Sequence, residues 1–259
     1  MHDDSKTEPR ISVCMAAYNG SLHIEEQISS ILSELGPQDE LVIVDDCSTD
    51  RTIELIAGMV DRRIRLVRTS RNMGYVKTFE RALQEARGEY VFLSDQDDIW
   101  IPGRVQLMLG ALEEVALVVS NCKHIEGIPG RFQSIRLREK DSTHTFRNAF
   151  GILVGYRLHW GCAMAFRRSL LAQVLPFPTY MKESHDQWIA MAGIANRSVR
   201  YLETDTILHR LHGQNLTPKG IRGFRQIFAA RVAFLRNWVT ATRRARGAAL
   251  ALDRSPIAS

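Results

Sequence analysis

Short apolar runs alternate with amphipathic segments along the first hundred residues of the chain. Runs of four to seven mostly apolar residues predict buried strands at residues 11–17, 41–44, 64–67 and 90–93. Between them, apolar positions three and four residues apart predict helices at residues 24–35, 52–59 and 75–86. Such alternation is typical of βαβ units. It predicts an α/β fold with a Rossmann-like, mostly parallel central sheet flanked by helices.

The periodicity is less regular beyond residue 102. Residues 127–145 are rich in charge and contain glycine and proline, so we expect them to form a loop. The remaining helices are predicted at 104–115, 186–195 and 220–246, and the remaining strands at 117–120, 160–166 and 199–202. The chain is thus expected to comprise a body, residues 1–219, and a C-terminal amphipathic helix and tail, residues 220–259.

The composition is that of an ordinary globular protein, with 45% apolar and 24% charged residues. No apolar run approaches the ~20 residues that a membrane span needs. Residues 1–10 lack the apolar core of a signal peptide, so we expect a cytoplasmic protein. The four cysteines form no CxxC pair and are expected to be free thiols.

The positive charge of the chain is concentrated near its C-terminus. No acidic residue occurs between residues 206 and 252, where arginines recur throughout. A basic amphipathic helix with aromatic residues, here Phe224, Phe228 and Trp238, suggests binding at an anionic membrane surface. An ordinary packing helix or a homodimer contact is the alternative. Nucleic acid is a poorer interpretation, because no nucleic-acid-binding motif accompanies the charge.

Polar residues directly follow several predicted strands. Ligands of parallel sheets bind beyond the carboxyl ends of the strands. Asp45 and Asp46 end one strand, and a carboxylate there can accept a hydrogen bond from a pyrimidine imide or a ribose hydroxyl. Asp50, in contrast, is expected to cap the next helix. Residues 95–98, DQDD, place three carboxylates in four positions, which repel one another unless a divalent cation lies among them. A solvated acidic loop is the alternative.

Four segments carry a family resemblance. Their sequences, ISVCMAAYNG at 11–20, LVIVDDCSTD at 41–50, NMG at 72–74 and LSDQDDIW at 93–100, resemble those of family 2 glycosyltransferases in order and spacing. The last segment is similar to the bacterial rhamnosyltransferase-like branch. The resemblance extends over roughly residues 10–216. It implies the GT-A fold, inversion at the anomeric centre, a nucleotide-sugar-binding half at 10–100 and an acceptor-binding half at 101–219.

The resemblance also implies a donor site for a dTDP- or UDP-sugar. Asp45 would accept the imide N–H of uracil or thymine, and Asp97 would bind the Mg²⁺ or Mn²⁺ ion that bridges the diphosphate. His212 would complete the metal site, with His209 as the alternative. The implied donor-binding residues are Ala17, Tyr18, Asn19, Asp45, Asp46, Asn72, Gly74, Asp95 and Arg210.

The stretch ESHDQW at residues 183–188 resembles the place where the family keeps its general base, which implies that role for Asp186. Inversion needs one carboxylate to take a proton from the acceptor hydroxyl, and His185 is the next candidate. Trp188 is either a platform for a sugar ring or part of the core. The segment at Trp160, Gly161 and Cys162 resembles the stretch beside the acceptor site, and an internal strand is the alternative.

The function implied is transfer of a sugar, rhamnose first, to a glycan or lipid-linked glycan in bacterial surface polysaccharide synthesis. One alternative is an inactive nucleotide-sugar-binding or scaffold protein, which loss of Asp97 or Asp186 would have suggested; both are present. Another is a nucleotidyltransferase on a similar sheet. That class favours a glycine-rich phosphate loop after the first strand, and residues 16–20, AAYNG, do not form one.

Overall fold

The computed structural model describes residues 8–127, 135–157, 159–211 and 223–253. The strands are β1 Ile11–Ala17, β2 Glu40–Asp45, β3 Ile64–Arg68, β4 Tyr90–Ser94, β5 Ile99–Trp100, β6 Leu117–Ile125, β7 Met164–Arg167 and β8 Val199–Arg210. The helices are α1 Ile24–Leu32, α2 Thr52–Gly58, α3 Tyr75–Glu85, α4 Arg104–Leu112, α5 Thr145–Val154, α6 Leu171–Val174, α7 His185–Ala195 and α8 Phe224–Asp253.

In the described ranges the strands form one eight-stranded sheet in the order β3-β2-β1-β4-β7-β6-β8-β5. The first four strands are parallel. The strand β7 runs antiparallel to both β4 and β6, β6 pairs with β8 in parallel, and β5 is antiparallel to β8. The predicted α/β fold with a mostly parallel sheet flanked by helices is confirmed.

Helices cover both faces of the sheet. Along β1, Cys14 points to the core under α3, α7 and α8, whereas Val13 and Met15 point to the core under α1, α2 and α4. Because both faces are buried, the parallel strands read in the sequence as continuous apolar runs. Their carboxyl ends meet at one edge, where the polar strand-end residues lie.

The second half of the sheet differs from the prediction. The strand β8 continues to Arg210, eight residues beyond the predicted end. Its outer part mixes exposed and buried residues, most of them polar, and so does not form an apolar run. Residues Gly161–Ala163 form a 3-10 turn, and the strand β7 begins only at Met164. The helix α5 and the two-residue strand β5 were not predicted from the periodicity.

The C-terminal helix α8 packs on the body through α5, α6 and α7. It buries Ala230, Asn237 and Ala241, and Trp238 packs against the core. Trp238 therefore does not serve as an outward anchor, which corrects that expectation, whereas Phe228 is 64% exposed. Among the described helices, none combines the length and apolar character that crossing a bilayer would require.

Candidate active site

Side-chain amides tie together the loops that follow β1, β2 and β4. The Oε1 atom of Gln96 accepts the N–H of Tyr18 at 2.8 Å, and its Nε2 donates to the Tyr18 carbonyl at 3.0 Å. The Oδ1 atom of Asn19 accepts the N–H of Thr49 at 2.8 Å. A Cβ atom at Gly20 would collide with the Gln96 amide. These contacts fix the loop backbones and leave the Tyr18 ring 45% exposed at the edge of the sheet.

The adjacent residues Asp45 and Asp46 are both buried but are used differently. The Oδ2 atom of Asp45 accepts the N–H of Ser48 at 3.1 Å. Its buried Oδ1 has no hydrogen-bond partner among the residues that the structure describes. Asp46 instead accepts the N–H groups of Met73 and Gly74 at 2.7 and 2.8 Å. Asp45 thus has a free acceptor for a ligand, whereas Asp46 holds the loop before α3.

Three other predicted donor-site residues form the scaffold of this loop. The carbonyl of Ala17 accepts the N–H of Asp46 at 2.8 Å. The exposed Asn72 accepts the N–H of Gly74 through Oδ1 at 3.2 Å. Gly74 has a φ of 82° and starts α3, a backbone conformation that favours glycine. Asp50 accepts the N–H of Thr52, the first residue of α2, but the N-cap position is Arg51, so Asp50 is not the cap that the sequence suggested.

The acidic segment after β4 forms a cluster of carboxylates. Burial raises the pKa of Asp95 well above its usual range, and the negative charges of Asp98 and Asp97 raise it further. Asp186, from the acceptor half, also contributes to this rise, whereas His209 opposes it. The structure therefore brings the predicted base into the field of the strand-end carboxylates. Their oxygens are the donors that Mg²⁺ and Mn²⁺ prefer, so the cluster fits a divalent ion.

The sequence-based prediction missed the role of Asp98. Its Oδ1 accepts the Nδ1–H of His209 at 2.9 Å and the N–H of Arg210 at 3.0 Å. One ligand atom from each of Asp98, His209 and Cys162 lies within 4.8 Å of the others. Burial alone would lower the pKa of His209, but the hydrogen bond to Asp98 raises it. The only sequence signal was the third acid of the DQDD segment.

Arg210, one of the implied donor-binding residues, contacts groups of the protein itself. Its Nε donates to the carbonyl of Asp97 at 3.0 Å. Its Nη2 lies 2.8 Å from Glu26, and its Nη1 pairs with Glu126. The guanidinium is thus engaged by two carboxylates, because the end of β8 runs beside the acidic loop. The predicted metal ligand His212 lies outside the described residues.

Asp186 lies in the first turn of α7, against the 3-10 turn at Gly161. A Cβ atom at Gly161 would be 3.4 Å from the Cβ of Asp186, so the two residues are neighbours. The Oδ1 atom of Asp186 accepts the N–H of Gln187 at 2.7 Å. Burial raises the pKa of Asp186 to about 6, partly offset by the hydrogen bonds from Gln187. A carboxylate with this pKa is a better base near neutrality than an ordinary one.

A buried chain of polar side chains supports the base. Gln187 Nε2 donates to the carbonyl of His159 at 3.0 Å, and its Oε1 lies 3.3 Å from His159 Nδ1. The Nε2 atom of His159 is 3.0 Å from the hydroxyl of Tyr201. Burial lowers the pKa of His159 to about 4, so its ring is neutral at pH 7. This chain anchors the residue next to Asp186.

Two neighbours of Asp186, Trp188 and His185, are buried and do not face a substrate. Trp188 is fully buried, and its Nε1 donates to the carbonyl of Val174 at 3.0 Å. It belongs to the core and offers no face to a sugar, because α7 turns it inward. His185 stacks on Phe79 at 4.1 Å between ring centroids, and burial lowers its pKa to about 3. A group with so low a pKa is a poor general base.

The remaining acceptor-side residues lie close to Asp186 or to the Asp98 cluster. The half-buried ring of Trp160 is 4.9 Å from the ring of His209. Gly161 lies beside Asp186, as described above. The thiol of Cys162 is buried 4.0 Å from His209 Nδ1, and burial raises its pKa well above the usual range. Cys162 therefore packs behind the site.

The sequence matches a known family over most of its length. The profile of the family described as glycosyl transferase family 2 matches residues 12–175, more than half of the chain. TuaG of Bacillus subtilis, named for teichuronic acid biosynthesis, is 35% identical over 109 residues, which cover 41% of this chain and 43% of TuaG. WfgD of Escherichia coli, a UDP-Glc:α-D-GlcNAc-diphosphoundecaprenol β-1,3-glucosyltransferase, is 25% identical over 185 residues, 70% of this chain and 69% of WfgD.

Solved structures share the fold. TarS of S. aureus in complex with UDP-GlcNAc superposes with a TM-score of 0.68 at 18% identity, over 88% of this chain and 66% of TarS. The mannosyltransferase PcManGT of Pyrobaculum calidifontis, in complex with GDP-Man and Mn²⁺, gives 0.56 at 21% identity, over 95% of this chain and 76% of PcManGT. These likenesses confirm the predicted GT-A-type α/β fold.

Proposed function

The chain belongs to glycosyl transferase family 2, and on this premise we propose that it is an inverting glycosyltransferase that uses a nucleotide-sugar donor. The observation that carries the proposal is the meeting of two sets of groups at one sheet edge. Asp45 presents a free acceptor oxygen, and the carboxylates of residues 95–98 lie in the field of Asp186. Residues 10–100 would bind the donor, and residues 101–219 the acceptor.

The donor is proposed to be a pyrimidine nucleotide sugar. The buried Oδ1 of Asp45 can accept a further hydrogen bond, and the imide N–H of uracil or thymine would supply it. TarS was crystallised with UDP-GlcNAc, which supports a pyrimidine nucleobase in the donor, whereas PcManGT was crystallised with GDP-Man. The resemblance of residues 93–100 favours dTDP-rhamnose first and a UDP-sugar second.

A divalent ion is proposed as the cofactor, with Asp97 as its ligand and Asp95 beside it. The crowded carboxylates fit such an ion: burial raises the pKa of Asp95, the charges of Asp98 and Asp97 raise it further, and a divalent cation would offset their repulsion. The complex of PcManGT contains Mn²⁺. When bound, the ion would neutralise charge on the departing diphosphate.

Asp186 is proposed to act as the general base. It would take the proton from an acceptor hydroxyl while that oxygen forms a bond to the anomeric carbon and the bond to the nucleoside diphosphate breaks. Gly161, in the segment that resembles the stretch beside the acceptor site, lies next to Asp186. Gln187 fixes its orientation, and burial keeps its basicity high.

The acceptor is proposed to be a glycan or lipid-linked glycan of a bacterial surface polysaccharide, as the names of TuaG and WfgD suggest for those proteins. The enzyme would then work at the cytoplasmic face of the membrane. Support comes from α8, where Phe228, Leu235 and Val239 are exposed on one face. Arginines recur along the same helix, and each adds up to ~1 kcal/mol near an anionic surface.

A donor-hydrolysis screen would test the proposal. Purified protein is incubated with dTDP-rhamnose, UDP-sugars and GDP-sugars, with Mg²⁺, Mn²⁺ or excess EDTA. We expect hydrolysis of a pyrimidine nucleotide sugar that needs the divalent ion and is abolished by Asp97→Ala. The surface variant Glu54→Gln is the matched control for loss of one carboxylate. Full activity in EDTA, or tight binding of GDP alone, would contradict the metal or the donor assignment.

A further inference from the structure

A basic cavity of about 630 Å³ lies in the acceptor half, away from the strand-end carboxylates. Its walls come from the segment before α5, from α5 itself and from the two residues that follow the helix's end. Its charged lining residues are Arg136, Arg138, Lys140, Asp141, Arg147 and Arg157. Neither the family resemblance nor the proposed roles of Asp45, Asp97 and Asp186 make use of this cavity.

Positive charge in the basic cavity exceeds the negative charge around it. Asp141 pairs with both Arg147 and Arg157, and Arg136 pairs with Asp205 at 2.8 Å. Arg138 and Lys140 are exposed and have no carboxylate partner within the described ranges. The charged lining residues of this concave surface comprise five cations and one carboxylate, and Asp205 and Glu203 lie beside Arg136 outside the lining. Such a surface attracts an anion of high charge.

Arg157 gives the basic cavity a buried floor. Its side chain is only 7% exposed, and its Nη2 is 2.9 Å from Asp141 Oδ2. Its Nε and Nη1 find no acceptor among the residues that the structure describes. Leaving buried donors unpaired is costly. An oxyanion satisfies such donors, because the planar guanidinium matches the geometry of phosphate oxygens.

The position of the basic cavity relates it to the acceptor. Arg157 lies over the ring of Tyr201 at 5.7 Å, and Tyr201 begins the buried chain through His159 and Gln187 that ends beside Asp186. Three buried side chains, those of Tyr201, His159 and Gln187, thus link Arg157 at the cavity to Asp186. The donor loops, which end β1, β2 and β4, contribute nothing to its lining.

An apolar stripe lies beside the basic cavity. The helix α5, which contributes Arg147 to the lining, exposes Phe146, Phe150 and Val154 at 78%, 60% and 43%. Arg231 of α8 donates to the carbonyl of Val154 at 2.8 Å, so the exposed faces of the two helices adjoin. A cluster of cations next to exposed apolar residues matches a phosphate group that is attached to a lipid chain.

We propose that the basic cavity binds the phosphate or diphosphate group of a lipid-linked acceptor. The proposal rests on the proposed glycosyltransferase function. It adds a second anion site to the chain, distinct from the site for the donor diphosphate. The anion would be held by Arg138 and Lys140 at the mouth and by Arg157 at the floor, which would keep the acceptor glycan oriented toward Asp186.

Calorimetry of the full chain with inorganic pyrophosphate in EDTA tests the site itself. EDTA removes the divalent ion that would draw pyrophosphate to the donor site. We expect one bound pyrophosphate, and at least a roughly tenfold weaker affinity in the double variant Arg138→Gln/Lys140→Gln. Neither residue is in an ion pair with another described residue, so folding should be retained, as circular dichroism would show. The matched control is Arg62→Gln/Arg87→Gln, two exposed arginines far from the cavity.

Equal pyrophosphate binding by the two double variants, or none by the unaltered chain, would overturn the site. This measurement needs no transfer activity, so it can succeed even where the proposed function fails. The acceptor assignment is tested by kinetics with a polyprenyl-diphosphate-linked glycan and with the same glycan lacking the diphosphate. We expect the double variant to raise KM roughly tenfold for the first acceptor only, with kcat unchanged.

An equal rise in KM for both acceptors would contradict the assignment. Phosphatidylglycerol vesicles separate an acceptor phosphate from a bilayer headgroup. Sedimentation with these vesicles should be the same for the Arg138→Gln/Lys140→Gln variant and its control. Loss of sedimentation in this variant alone would assign the basic cavity to membrane headgroups and overturn its role in acceptor binding.

Discussion

The two sides of the sheet place their polar side chains differently. On the parallel side, β3-β2-β1-β4, the strands are mainly apolar, and polar groups such as Asn19, Asp46 and Gln96 bind loop backbones at the strand ends. On the mixed side, β7-β6-β8-β5, polar groups lie inside. Arg104 is buried, donates to Thr206 Oγ1 and to the carbonyl of Cys162, and lies 4.7 Å from the ring of Trp100.

This difference separates two kinds of task. On the parallel side, direct contacts between neighbouring loops preform a rigid surface, which suits recognition of a nucleotide. On the mixed side, the orientation of Asp186 depends on a buried chain of side chains through Gln187, His159 and Tyr201. We therefore expect substitutions on the parallel side to change donor binding and substitutions around Asp186 to change turnover.

The largest effect is expected from Asp186→Asn. The amide is nearly isosteric and can still accept the N–H of Gln187, but it cannot take a proton. Loss of a general base lowers turnover by roughly 10²–10⁴-fold, so kcat should fall by this factor while calorimetry shows unchanged donor affinity. The neighbouring exposed carboxylate offers a control in Glu183→Gln. Near-normal turnover in Asp186→Asn would move the base elsewhere.

The pair Asp45 and Asp46 sharpens the comparison within the parallel side. In Asp45→Asn, the amide oxygen can serve the N–H of Ser48, which leaves the NH₂ group facing the imide N–H of the base. A hydrogen bond to a charged group contributes about 1.5–3 kcal/mol, so the donor Kd should rise roughly 10–100-fold. Isothermal calorimetry with dTDP and UDP measures this, and thermal unfolding should be nearly unchanged.

Asp46→Asn should give the opposite result. Both of its oxygens accept backbone N–H groups, from Met73 and Gly74, so one of these donors would face an NH₂ group. We expect a loss of about 1–3 kcal/mol in the free energy of unfolding, with a smaller change in donor affinity. If Asp45→Asn destabilised the fold as much and left the Kd unaltered, the division of roles between the two carboxylates would be wrong.

The pH dependence tests the environment of Asp186 without a substitution. Burial raises its pKa to about 6, and a base must be ionised to accept a proton. Below that pH the ionised fraction falls, so kcat/KM should decrease roughly tenfold per unit of pH. A profile that stays flat down to about pH 4.5 would indicate an ordinary exposed carboxylate. Donor affinity measured over the same range separates this effect from titration of the donor site.

The sequence predicted the parallel side well because its strands and helices have clear periodicity. The strand at 11–17 was predicted at its observed bounds, and the ends of β2 and β4 were within one residue. The outer part of β8 and the helix α5 were not predicted from the sequence, because β8 exposes Glu203 at the sheet and α5 exposes Phe146 and Phe150. In these elements the apolar pattern does not mark the buried side.

The candidate site, like the fold, could be predicted from the sequence only in part. The strand-end carboxylates could be identified from their position after apolar runs. The sequence could not show whether a polar side chain binds a ligand or a loop, because Asp45 and Asp46 differ only in which N–H groups their oxygens accept. The burial of Trp188 and the engagement of Arg210 by Glu26 likewise depend on how α7 and β8 pack against distant segments.

The smallest effect is expected at the surface of the C-terminal helix, where exposed apolar residues of α8 are proposed to contact an anionic membrane. Removing the whole helix would not test this, because Trp238 and Ala241 pack into the core and truncation would damage the fold. The double variant Phe228→Ser/Leu235→Ser changes only exposed positions. Its matched control is Val60→Ser/Leu107→Ser, two exposed apolar residues on other elements.

Co-sedimentation with phosphatidylglycerol vesicles measures the contact. A buried apolar side chain contributes about 1.5–3 kcal/mol, and Phe228 and Leu235 would be only partly inserted. We therefore expect the α8 variant to bind vesicles several-fold more weakly than the unaltered protein. The control variant should bind as strongly as the unaltered protein. Added salt should weaken vesicle binding by the unaltered protein and by the α8 variant, because the attraction of the arginines is screened over a Debye length of roughly 8 Å at physiological ionic strength. If the unaltered protein ignores these vesicles even at low salt, the exposed face of α8 serves contact with another protein copy instead, and its loss should then change the oligomeric state.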